Sequence, residues 1–129
     1  MKDNELIRRA AEFRSRAYAP YSGFAVGAAL LAASGRVYGG ANVENASYPV
    51  GICAERTAIA AAVTAGERAF EALAVIADSP APCAPCGMCR QMLMEFPLKR
   101  VILANTAGAV RVLTPAELLP HAFGAAALP

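Results

Sequence analysis

Residues 70–104 read FEALAVIADSPAPCAPCGMCRQMLMEFPLKRVILA, and the fold follows from how this stretch divides. Phe70 to Ala77 is apolar at nearly every position, the pattern of a strand buried on both faces. The loop behind it, Ser79 to Pro85, carries Pro80, Pro82 and Pro85, which fix the backbone and exclude a helix there. A helix is expected from about Cys86 to a point before Pro97, and Arg100 to Ala104 is again a short apolar run. Strand, helix and strand in this order predict a right-handed crossover between two parallel strands.

The flanking segments extend that unit. Leu6, Ile7, Ala10, Ala11, Phe13 and Ala17 recur at helical spacing among Arg8, Arg9, Arg14 and Arg16, so a helix with one wet face is expected from about Asn4 to Ala17. Phe24 to Ala32 and Arg36 to Asn42 read as a hairpin around Ala33-Ser34-Gly35. Gly51 to Ala65 reads as a second helix closed by Gly66. Past the crossover, Ala109 to Leu113 follows a turn at Asn105 to Gly108, and Thr114-Pro115-Ala116-Glu117 is a capping box that opens a last short helix. The expected order is αββαβαββα: a mixed five-stranded sheet with helices on both faces, a three-layer α/β/α sandwich.

The 129 residues match the usual size of one domain, and no linker or repeat divides them, so residues 1–129 are expected to form one unit. Apolar residues make up 57% and charged residues 17%, with mean hydropathy +0.39, more apolar surface than a small globule easily hides; a homo-oligomer is expected. A net charge of +2 and no basic stripe argue against an obligate nucleic-acid partner. The N-terminus carries no secretory pattern, and the longest strongly apolar stretch, Phe24 to Ala33, is too short for a bilayer, so no membrane association and a cytoplasmic location are expected.

Three of the four cysteines crowd into residues 83–89, which points to metal binding rather than a disulfide framework. Cys86 and Cys89 stand three apart at a helix start, and Cys53 opens the other helix two residues before Glu55. A catalytic zinc takes three protein ligands and leaves a fourth position for water, which Cys53, Cys86 and Cys89 satisfy. Three thiolates around Zn²⁺ leave one unit of negative charge, and Arg56, three residues past Cys53, is placed to offset it by donating to the sulfurs. Cys83 as a fourth ligand would close the site and make the zinc structural, but the prolines around it should direct it away.

Cys53-Ala54-Glu55 followed by Pro85-Cys86-Gly87-Met88-Cys89 resembles the zinc signature of the cytidine deaminase superfamily, in which the first ligand is His or Cys. Asn42-Val43-Glu44-Asn45-Ala46-Ser47 and Cys86-Gly87-Met88-Cys89-Arg90-Gln91 extend the likeness to the small, single-domain members, and it covers Tyr18 to Phe123. The resemblance implies one Zn²⁺ per subunit and hydrolytic deamination of cytidine and 2′-deoxycytidine, with Glu55 as the catalytic proton carrier. It also implies substrate contacts from Phe24, Asn42, Glu44, Ala54, Tyr48 and Phe123. Asn42 and Glu44 would meet the ribose and Phe24 the base, while Tyr48 and Phe123 would reach a neighbouring subunit's pocket in a homotetramer. The alternatives are deamination of another aminopyrimidine nucleoside such as blasticidin S, or a non-catalytic zinc module in which all four cysteines bind metal.

Overall fold

The computed structural model describes residues 1–129. Its elements run α1 (Asp3–Arg14), β1 (Val26–Ala32), β2 (Val37–Ala41), α2 (Ala54–Thr64), β3 (Phe70–Ala77), α3 (Gly87–Leu93), β4 (Leu98–Asn105), β5 (Val110–Leu113) and α4 (Pro115–Leu118). Short 3-10 turns at Tyr48–Val50 and Ala125–Ala127 complete the chain. The strands form one sheet in the order β2-β1-β3-β4-β5. β3 and β4 pair in parallel across α3, as the crossover pattern requires, and the other three pairings are antiparallel.

Alternation along the strands divides the core. Ala28, Leu30, Leu73, Val75, Val101 and Leu103 point to the face covered by α2, α3 and α4, where they meet Ala58, Ile59, Leu93 and Leu118. The residues between them, such as Ala29, Ala74, Ile76 and Ile102, point to the other face and meet Leu6 and Ala10 of α1. The expected three layers are therefore present. The many alanines let the helices lie close, and glycine brings two of them closer still. A Cβ at Gly27 would lie 2.5 Å from the Arg14 nitrogen, and one at Gly40 would lie 2.5 Å from the Ala58 nitrogen, so α1 and α2 rest on bare backbone.

Several boundaries differ from the sequence expectation, each for a local reason. The second helix starts at Ala54, not Gly51, because Val43 and Ile52 exchange backbone hydrogen bonds of 3.0 Å that hold Ile52 extended. β1 begins at Val26 because the Asn42 side chain takes over the pairing before it: its Oδ1 accepts from the Val26 amide and its Nδ2 donates to the Phe24 carbonyl, both at 2.8 Å. α1 ends at Arg14, where i→i+3 bonds from Arg16 and Ala17 tighten the chain before Tyr18 donates to the Asn42 carbonyl. Asn105 is the buried end of β4 rather than an exposed turn residue. The capping box at Thr114 forms with both reciprocal bonds. No helix is long and apolar enough to cross a membrane.

Candidate metal centre and active site

Two helix starts meet at the site. Cys53 is the N-cap of α2 and Cys86 the N-cap of α3, both with extended backbone, while Cys89 lies in the first turn of α3 and is wholly buried. The sulfurs of Cys53, Cys86 and Cys89 all lie within 4.8 Å of one another, and Cys53 and Cys86 are 3.7 Å apart. Tetrahedral zinc with Zn–S bonds of about 2.3 Å sets its sulfurs about 3.8 Å apart, so the observed pair already has the required spacing.

The charges around this set fit a cation as well. Arg56 Nη2 stands 3.8 Å from the Cys53 sulfur, and its buried Nε has no partner. The guanidinium thus leans on the thiols, as an offset to three thiolates around one Zn²⁺ requires. Hydrogen bonding from Cys89, aided by Arg56 and Cys86, pulls the Cys53 thiol down to about 5 against the opposing effect of burial. Cys89 moves the opposite way, far up, because it supplies the proton in that pair and is buried. A thiol held low by its neighbours gives up its proton readily to a metal ion.

Glu55 follows in the first turn of α2 and is only 4% exposed. Burial, reinforced by the negative charge of Cys53, holds its carboxyl above the usual carboxylate range. It borders a cleft of about 260 Å³ whose walls include Cys53, Cys86, Phe24, Asn42 and Glu44. Ala54, wholly buried, forms part of its floor. A neighbouring concavity of about 290 Å³ shares Ser22 and Glu44 with it and is lined also by Tyr21 and Tyr48.

Asn42 and Glu44 share the cleft, but both are also committed to the segment before β1. The Glu44 carboxylate accepts from the amides of Tyr21 and Ser22, each at 3.0 Å, and from the Ser22 hydroxyl. The Ser22 hydroxyl bond, with the two amides adding, holds Glu44 below the usual carboxylate range. Tyr48 and Phe123 do not line the cleft; they are 75% and 61% exposed, and Tyr48 sits 5.8 Å from the Tyr21 ring. Cys83 lines the cleft wall outside the three-sulfur group, so the four-cysteine alternative is not what this chain builds.

Sequence reasoning missed the residues that hold the site together. Asn105 Nδ2 donates to the carbonyls of Ser79 at 3.0 Å and Pro80 at 3.3 Å while its Oδ1 accepts from Ala109, tying the proline loop to the end of β4. Arg90 Nε donates to the Pro85 carbonyl directly before Cys86. Asparagine reads as a turn former, and nothing local announces a carbonyl 25 residues away as its partner.

Residues 1–105 match the family model described as the cytidine and deoxycytidylate deaminase zinc-binding region. A cytidine deaminase from Sporosarcina psychrophila is 49% identical over 125 residues, 95% of this chain and 92% of that protein. Among solved structures, a cytidine deaminase from Burkholderia pseudomallei superposes with a TM-score of 0.93 at 50% identity, covering 95% of this chain and 100% of that one. The cytidine deaminase of Mycobacterium tuberculosis does so with a TM-score of 0.82 at 39% identity, covering 96% and 99%.

Proposed function

Because the chain belongs to the family of zinc-binding cytidine and deoxycytidylate deaminases, we propose that it hydrolyses the 4-amino group of cytidine and 2′-deoxycytidine, releasing ammonia and the uridine product. The observation that carries this reading is a buried carboxyl, Glu55, on a cleft that Cys53 and Cys86 of the three-sulfur group line together with Asn42 and Glu44. The chemistry that zinc supplies when held by Cys53, Cys86 and Cys89 is Lewis-acid activation of water at neutral pH.

Glu55 does the proton work. It accepts a proton from the attacking water and passes it to ring N3, which makes C4 electrophilic as the C4–O bond forms. It then takes the proton of the new C4 hydroxyl to the amino group, so that the C4–N bond breaks as the C4 carbonyl forms and the leaving group is neutral ammonia. A carboxyl held above its usual range by burial is suited to donating as well as accepting.

Asn42 and Glu44 read the ribose with the capacity they have left. Asn42 uses one of its two amide hydrogens on Phe24, leaving the other for a hydroxyl oxygen. An ionised carboxylate offers about four acceptor positions, and Glu44 commits three of them. Phe24, 43% exposed at the cleft, lies against the base. Tyr48 and Phe123 complete a neighbouring subunit's pocket, and these exposed aromatics, with Tyr18 and Tyr21 exposed as well, are covered in a cytoplasmic homotetramer that serves pyrimidine salvage.

Loss of cytidine absorbance by zinc-loaded protein, abolished by a chelator and restored by Zn²⁺, tests the activity. Folded, zinc-loaded protein that leaves both nucleosides unchanged refutes it. Competition between cytidine and other aminopyrimidine nucleosides defines the substrate, and sedimentation showing only monomer at assay concentration refutes the tetramer.

A further inference from the structure

Two consecutive residues on the metal helix hold parts of the chain that lie far along the sequence. Arg90 Nε donates to the Pro85 carbonyl and its Nη1 to the Leu118 carbonyl at the end of α4, each at 2.8 Å. Gln91 Nε2 donates to the Phe123 carbonyl, also at 2.8 Å. Between those two anchors the chain turns through His121, whose φ of 55° makes it the single non-glycine residue with positive φ. Phe123 itself is 61% exposed, and the backbone beyond it becomes extended at Gly124.

The C-terminal segment is otherwise thinly held. After α4 its backbone bonds are local, running between Leu119 and Pro115, Ala127 and Gly124, and Leu128 and Ala125. A segment with few long-range bonds and an exposed aromatic adopts many arrangements unless something fixes it. The fixing groups here are Arg90 and Gln91, directly after the ligand Cys89.

We propose that Gln91, with Arg90 beside it, is a positioning residue that sets the presentation of Phe123 from the zinc-binding helix. This rests on the reading of Phe123 as a nucleoside contact in a neighbouring subunit. The helix that carries Cys86 and Cys89 thereby serves two pockets, its own through the sulfurs and another through the held segment. Gln91 acts on the position of Phe123 and touches no reacting atom.

The test uses the whole zinc-loaded oligomer. Gln91→Glu keeps the size of the side chain but, ionised, has no hydrogen to donate; Gln91→Lys restores a donor. Gln91→Glu is expected to raise KM for cytidine by about two- to tenfold, the equivalent of one hydrogen bond, with kcat and zinc content unchanged. Proteolytic cleavage within residues 119–125 should quicken while amide exchange at residues 87–93 stays unchanged, and Gln91→Lys should recover much of both the KM and the cleavage effects. A Gln91→Glu enzyme with wild-type KM and wild-type cleavage at 119–125 overturns the proposal. Phe123→Ala is measured alongside: unchanged KM there removes the nucleoside-contact reading and with it the functional claim for Gln91. A raised KM in Phe123→Ala beside a silent Gln91→Glu sinks the positioning claim alone.

Discussion

Gly40→Ala places one methyl group beneath the helix that carries Cys53 and Glu55. The added Cβ would stand 2.5 Å from the Ala58 nitrogen, closer still to the Ala54 carbonyl oxygen, and 3.1 Å from Thr57 Cβ. The two nearest are backbone atoms of α2 and cannot swing aside as a side-chain tip does. Gly40 is pinned from behind by its pairing with Ala28 on β1, so the helix must yield. Reaching ordinary carbon contacts of about 3.5 Å needs a displacement of about 1 Å at the first turn. Overpacking of this kind costs about 1–3 kcal/mol, and a 1 Å misplacement of reacting groups costs about 10²-fold in rate. The expected result is a folded enzyme with stability lowered by that amount, weaker zinc retention against a chelator, and kcat reduced about a hundredfold. Urea denaturation, metal analysis and cytidine turnover measure the three separately. Wild-type kcat and zinc retention in Gly40→Ala would show that the start of α2 is not seated on β2 as the geometry requires. Lost stability with unchanged kcat would place the strain elsewhere in the sheet.

Three further outcomes follow from the same site. Glu55→Gln should keep its zinc and lose about 10²- to 10⁴-fold in turnover, the range for general acid–base catalysis; turnover within tenfold of wild type removes Glu55 from the proton path. Asn105→Ala leaves the Ser79 carbonyl and the Ala109 amide without their buried partner and should destabilise the fold by about 2–4 kcal/mol in chemical denaturation, a loss below 1 kcal/mol counting against the tie. Glu44 has a folded pKa below its unfolded one, so its contribution to stability is fully present above about pH 4.3 and is lost as the pH falls through the lower folded value. Wild type should therefore exceed Glu44→Gln in stability at neutral pH and converge with it in acid; a constant difference down to pH 3 contradicts that assignment.

The sheet and the three sulfurs were readable in the sequence because both depend on short-range pattern. Phe70 to Ala77 is apolar at every position but Glu71, and β3 has that range because both of its faces are covered. Cys86 and Cys89 meet because three residues span most of a helical turn, and Cys53 needs only to cap the other helix. What escaped was set by partners distant in sequence. Ile52 fits a helical pattern as well as Ala54 does, and only its pairing with Val43 keeps it extended. Asn42 and Glu44 are named in the sequence by the motif they belong to, but their bonds to residues 21–26 exist only once the hairpin has brought that segment alongside.

Those bonds bear on how the cleft is kept ready. Phe24 lies outside any strand, yet Asn42 holds its carbonyl while Glu44 holds Tyr21 and Ser22. The same two side chains face the cleft with capacity to spare, so the groups proposed to meet a ribose are also the groups that fix the loop carrying Phe24. Substituting either one therefore disturbs two contacts at once, and the losses from Asn42→Ala and Phe24→Ala should fall short of additive when combined. Strict additivity in that double-mutant cycle would mean that Phe24 is held by something other than Asn42.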